Sequence, residues 1–61
     1  MTIFWKIEYS HDLNVTMNPG YQILDDNRNT IKITDDDGNE LTGGYDYSFV
    51  EETPAPVWWV E

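Results

Sequence analysis

Apolar side chains recur at every second position along most of the chain. Ile3, Trp5, Ile7 and Tyr9 alternate with Thr2, Phe4, Lys6 and Glu8, the period of a strand with one buried face. Phe4 is the exception on the polar phase. Ser10-His11-Asp12 reads as a short polar turn, after which Leu13, Val15 and Met17 alternate with Asn14 and Thr16. Asn18-Pro19-Gly20 reads as a break. Tyr21 and Ile23 open a third strand. Ile31 and Ile33 form a fourth beyond the polar loop Asp25-Asp26-Asn27-Arg28-Asn29, and Tyr45, Tyr47 and Phe49 a fifth. No 3.6-residue period is sustained, so no helix is expected.

The segment from Asp35 to Asn39 sets a register. A two-residue Asp37-Gly38 turn would pair Ile33 with Thr42 and Thr34 with Leu41, mixing apolar with polar twice. A three-residue loop, Asp36-Asp37-Gly38, pairs Ile33 with Leu41 and puts Gly38 at the third loop position, where a left-handed residue is wanted. A slip by one residue turns every side chain to the other face, so the register that keeps apolar faces together is the expected one. Gly43-Gly44 then marks a bend before the Tyr45 strand.

The expected fold is all-β: a small antiparallel meander of five or six short strands, curled into a partly open barrel or two-layer sheet. Its expected inward set is Ile3, Trp5, Ile7, Tyr9, Leu13, Val15, Met17, Tyr21, Ile23, Ile31, Ile33, Leu41, Tyr45, Tyr47 and Phe49. Residues 1–52 supply the sheet and 53–61 a Pro-rich extended tail, in which Val57 to Val60 form a short aromatic edge strand.

Composition changes the picture in two ways. With 61 residues and no cysteine, there is one domain, and neither a disulfide nor a thiolate metal site supports it. A chain this short is marginal in stability, and its three Trp, four Tyr and two Phe are the visible compensation, since each can bury roughly 150–250 Å².

The net charge is −9, and it is uneven. Up to Lys32, Glu8, Asp12, Asp25 and Asp26 stand against Lys6, Arg28 and Lys32. From Ile33 onward, Asp35, Asp36, Asp37, Glu40, Asp46, Glu51, Glu52 and Glu61 meet no basic residue. A field of one sign repels nucleic acid and acidic membranes and attracts basic surfaces.

Candidate chemistry is sparse. Asp35-Asp36-Asp37-Gly38-Asn39-Glu40 has half the pattern of a calcium loop. Placing Gly38 at the sixth position puts Ile33 first and Gly44 twelfth, and neither is a ligand. Ser10-His11-Asp12 puts triad residue types side by side, whereas a relay needs them to converge from separate parts of a fold. Neither an enzyme, a cofactor nor a metal is expected.

The expected function is a small acidic protein-binding module. One form would be a viral inhibitor occupying a basic, nucleic-acid-binding site on a host enzyme by charge mimicry. The alternative is a structural, assembly or adaptor module binding through a sheet edge or the aromatic tail. The candidate partner-binding residues are Asp35, Asp36, Asp37, Glu40, Asp46, Glu51, Glu52, Trp58 and Trp59. Trp58-Trp59 stand out because neighbours on a strand face opposite ways, so one could be an exposed anchor. The expected partner is a basic protein surface, without direct nucleic-acid or membrane binding, and a homodimer is an open alternative. The opening segment lacks the basic-then-apolar pattern of a secretory leader, and no apolar run approaches the ~20 residues of a membrane span. The expected address is the cytoplasm, the host's for a viral protein.

Overall fold

The computed structural model describes residues 1–11 and 16–60. It is all-β: four antiparallel strands in one open sheet, with no helix among the described residues. The strands are β1 (Ile3–Ser10), β2 (Asn18–Leu24), β3 (Thr30–Asp35) and β4 (Asp46–Thr53), and their order across the sheet is β3-β2-β1-β4. The first three form a meander. The fourth returns by a longer connection to lie beside β1, which is the Greek-key arrangement.

The expected count of five or six strands is therefore four among the described residues. Leu13 and Val15, assigned above to a further strand, lie outside the described residues. Val57 to Val60 are not a strand. The chain turns there, with Trp59 N–H donating to the Pro56 carbonyl at 3.0 Å.

Register decides which side chains share a face. β1 pairs with β2 so that Phe4 opposes Ile23, Trp5 opposes Gln22 and Lys6 opposes Tyr21. Odd positions on β1 therefore stand beside even positions on β2, and the single odd-numbered phase does not hold. The sheet has two apolar faces instead. The front carries Phe4, Lys6, Tyr21, Ile23, Lys32 and Thr34. The back carries Ile3, Trp5, Ile7, Tyr9, Gln22, Leu24 and Ile33. Phe4, read as an exposed exception, is 5% exposed against a fully buried Ile23. The run Ile3-Phe4-Trp5 makes physical sense on a central strand, which has both faces to cover.

Asn18-Pro19-Gly20, expected to break the chain, opens β2. Pro19 opposes Glu8 of β1 but lies before the stretch of β2 that pairs with β3, which begins at Gly20. The missing N–H is tolerated there because β2 is still an edge at that point. Gly20 is needed for space: a Cβ would sit 2.4 Å from the Thr34 carbonyl oxygen and 3.1 Å from the Tyr9 ring.

Two irregularities leave apolar side chains outside the regular pairing, and one of them removes Ile31 from the expected core. The register between β2 and β3 shifts after Ile23–Lys32, so that Leu24 opposes Thr30. Ile31 is left as the extra residue and is exposed. Between β1 and β4 it shifts from Lys6–Glu51 to Ile7–Phe49, leaving Val50 as the extra residue. A bulge leaves its extra residue unpaired and bends the strand. Met17, Tyr47 and Phe49, also expected inside, are exposed as well.

Both ends of β3 are closed by three-residue loops of one design. At Asp36-Asp37-Gly38, Asp35 N–H donates to Asn39 O at 2.9 Å and Leu41 N–H to Ile33 O at 2.8 Å. Thr34 bridges Glu40. This is the register expected from the sequence, and Gly38 has φ +90°. At Asp26-Asn27-Arg28, Asp25 N–H donates to Asn29 O at 2.9 Å, and Arg28 takes the left-handed position with φ +65°.

The tail crosses the front. The Trp59 ring meets the Phe4 ring edge-on at 5.2 Å, with Lys32 Nζ 5.8 Å from the Trp59 centroid. Trp58 meets Tyr21 edge-on at 5.5 Å, and its indole N–H donates to the Asp36 carbonyl at 3.1 Å. The tail is thus a strap over Phe4, Ile23 and Tyr21. Fully burying a Phe or an Ile contributes roughly 1.5–3 kcal/mol each. No helix of the described residues is long and apolar enough to cross a membrane.

Candidate functional site

β4 reads Asp-Tyr-Ser-Phe-Val-Glu-Glu-Thr. Aromatic and β-branched residues favour the extended chain, and Pro54 directly after Thr53 cannot donate to a ladder and stops it. The strand pairs with β1 on one side, and among the described strands none lies on the other. It is the least buried strand of the four, with Phe49 59% and Val50 54% exposed.

The aromatic side chains of β4 line up on the back of the sheet. Phe49 opposes Ile7 and Tyr47 opposes Tyr9. Ring centroids then run from Trp5 to Phe49 at 5.4 Å, Phe49 to Tyr47 at 6.0 Å and Tyr47 to Tyr45 at 6.1 Å. Tyr45 closes the row against Tyr9 and His11. Its hydroxyl titrates above the ordinary value of 10.0, first because it is partly desolvated and then because Tyr47 and Glu40 disfavour a further negative charge.

Acidic side chains flank this row. The bulge at Val50 changes which positions face the back, so Glu52 stands beside Trp5 there and Glu51 beside Lys6 on the front. Glu51 lies 4.0 Å from Lys6 Nζ. Among the described residues, Asp46 and Glu52 have no cationic partner. Lys6 and Lys32 both belong to the front, and no Lys or Arg of the four strands stands on the back.

The remaining candidate residues lie elsewhere. Asp35 organises its own turn: Oδ1 accepts from Asp37 N–H and Asn39 N–H, both at 2.9 Å, and Oδ2 from Asn39 Nδ2 at 3.0 Å. The Asn39 side-chain bond, helped by those backbone bonds, holds the Asp35 carboxyl below its ordinary value of 3.8. Asp36, Asp37 and Glu40 are exposed on and after that turn; Asp36 lines a groove on the front with Lys6 and Val50, and Glu40 lies within electrostatic reach of Tyr45. The acidic residues thus fall on two segments of the chain, the turn after β3 and β4 itself. Trp58 and Trp59 are both half-buried and pack on the front.

Grooves lie on either side of the strap. One of about 450 Å³ runs between Lys6, Tyr21, Asp36 and Pro54 to Trp58. Another of about 600 Å³ lies between Met1 to Phe4 and Glu52 to Ala55. Both are open to solvent. No group of three or more His, Asp or Glu side chains among the described residues converges to hold a metal.

The back-face row of half-buried Trp5 with exposed Phe49 and Tyr47 was not foreseen as a surface. The sequence does hold one signal for it: the apolar doublet Phe49-Val50 breaks the alternation where the bulge lies. Comparison with family models, with curated proteins and with solved structures finds no match.

Proposed function

We propose that this protein is a binding module for a basic protein surface, engaged through β4. One observation carries the reading. An eight-residue edge strand presents exposed aromatic side chains together with Asp46, Glu51 and Glu52, and carries no basic residue of its own. Charge of one sign on a rim raises association rate and excludes wrong partners, while exposed aromatic side chains supply anchoring area. The partner class is a surface rich in Lys and Arg. Inhibition of a nucleic-acid-binding enzyme by charge mimicry, as by a viral protein in its host's cytoplasm, is one such role. Adaptor or assembly binding through the sheet edge is the second reading, favoured by the open side of β4. The aromatic tail already serves as cover for the front.

The test compares two neutralised variants. One carries Asp46→Asn, Glu51→Gln and Glu52→Gln; the other carries Asp36→Asn, Asp37→Asn and Glu40→Gln. Partners captured from the native host at about 50 mM salt, and released as the Debye length falls below about 8 Å, define the charge-dependent set. Loss of that set with the β4 variant alone supports the reading. Loss with the turn variant alone moves the site to the turn after β3. Retention by both, in folded proteins, sinks the charge reading.

A further inference from the structure

We infer that β4 takes up a basic, extended peptide segment as a fifth strand, with a Lys or Arg side chain seated on the Trp5–Phe49 pair beside Glu52. This rests on the reading of β4 as the binding edge and goes further, because it names the form of the ligand as well as its charge.

An edge strand presents a row of N–H and C=O groups that another strand can pair with, and natural proteins usually guard such rows with charges and bulges. β4 has both, in Asp46, Glu51, Glu52 and the Val50 bulge. The guard is selective. It repels a second copy of this chain, which brings the same three carboxylates and a net charge of −9, and it attracts an incoming strand of opposite charge. Main-chain pairing supplies affinity in strand addition, and alternate side-chain sites supply specificity. On the back, those sites are Tyr47, Phe49 and then Glu52, with Trp5 next to Phe49 at 5.4 Å. Aromatic faces beside an unpaired carboxylate favour a cation over an apolar or anionic side chain. On the front, Asp46 and Glu51 meet the opposite side of the same incoming strand.

The probe is a peptide of about ten residues alternating Arg and Val, long enough to span β4 at strand rise. Its partner probe has the same sequence, N-methylated at every second amide. That change removes edge hydrogen bonds and keeps the charge. Binding is read by fluorescence anisotropy, and position by amide shifts of isotope-labelled protein. Strand addition predicts amide shifts concentrated in Asp46–Thr53 and at least ~10-fold weaker binding of the methylated peptide. Phe49→Ala and Glu52→Gln should each weaken the parent peptide by ~3–5-fold, the scale of one exposed cation–aromatic or charge contact. Equal affinity for both peptides overturns strand addition while leaving the charged edge standing. No binding of either peptide overturns both. A dimer in sedimentation that protects the β4 amides identifies the occupant as a second copy and overturns the inference.

Discussion

Turns Asp25–Asn29 and Asp35–Asn39 stand at opposite ends of β3 and share one backbone. In each, the first Asp accepts two N–H groups at 2.9 Å, from Asn27 and Asn29 in one and from Asp37 and Asn39 in the other. In each, the fourth residue is left-handed. The difference lies in what surrounds them. Arg28 is exposed, and its turn is tied to the rest of the chain by an ion pair between Asp26 and the Met1 amino group, a pair that contributes little in solvent. Gly38 lies under the Trp58 ring, and a Cβ there would come within 2.8 Å of it. A left-handed residue costs roughly 1–2 kcal/mol for any side chain. Arg28 bears that cost at an open site. Position 38 would add a steric cost, because the strap passes directly over it.

The largest expected effect follows from that contact. Gly38→Ala should destabilise by about 2–4 kcal/mol in urea unfolding, combining left-handed strain with displacement of a packed ring. In a Trp58→Leu background the same change should cost only about 1 kcal/mol, because the strain remains and the ring is gone. Equal costs in the two backgrounds would show that the strap does not rest on the turn.

Asp35→Ala should cost about 1–2 kcal/mol through loss of charged hydrogen bonds. Asp25→Ala should cost less, since the bond from Asn39 Nδ2 to Asp35 has no counterpart from Asn29 among the described residues. The difference between wild type and Asp35→Ala should depend on pH. The folded protein holds the Asp35 carboxyl below its ordinary value of 3.8, so the unfolded chain takes up the proton first as pH falls. The stabilisation is full above the unfolded value and is lost as pH drops through the lower folded one. Denaturation midpoints should therefore converge below about pH 4; a constant gap down to pH 2 would assign the effect to packing alone.

The smallest effect is expected at the open turn. Arg28→Gly removes left-handed strain but adds freedom to the unfolded chain, leaving a net gain of up to about 0.5 kcal/mol. A loss of more than about 1 kcal/mol would mean that the Arg28 side chain supports the fold.

The two turns also show what could be read from the residues alone. Asp-Asp-Asp-Gly-Asn declares its geometry because glycine marks the left-handed position, and the register around it followed. Asp-Asp-Asn-Arg-Asn has the same polar frame, but Arg is a poor advertisement for positive φ. The β class was legible from period two. Facing was not, because alternation fixes the sides within one strand and says nothing about which side its neighbour matches. Phe4 and Ile23 meet on the front through an odd–even register that only pairing sets. The carboxylates of β4 were legible as a charge cluster. Their place on an open edge was not, because it depends on β4 passing over β3 and β2 to reach β1.

That last pairing has a kinetic consequence. β1, β2 and β3 are joined in sequence and can assemble through nearby contacts. Phe4 meets Thr53 across nearly the whole chain, and contacts between distant residues form late because the loop between them must first be closed. β4 should therefore dock after a three-stranded intermediate structure has begun to form. Side-chain changes in β4 should speed unfolding and leave the folding rate nearly unaltered. Until β4 arrives, the open edge of the sheet is β1, which carries Lys6 and a single acid, Glu8. The completed protein replaces that edge with an acidic one, so its electrostatic identity is acquired in the final step of folding.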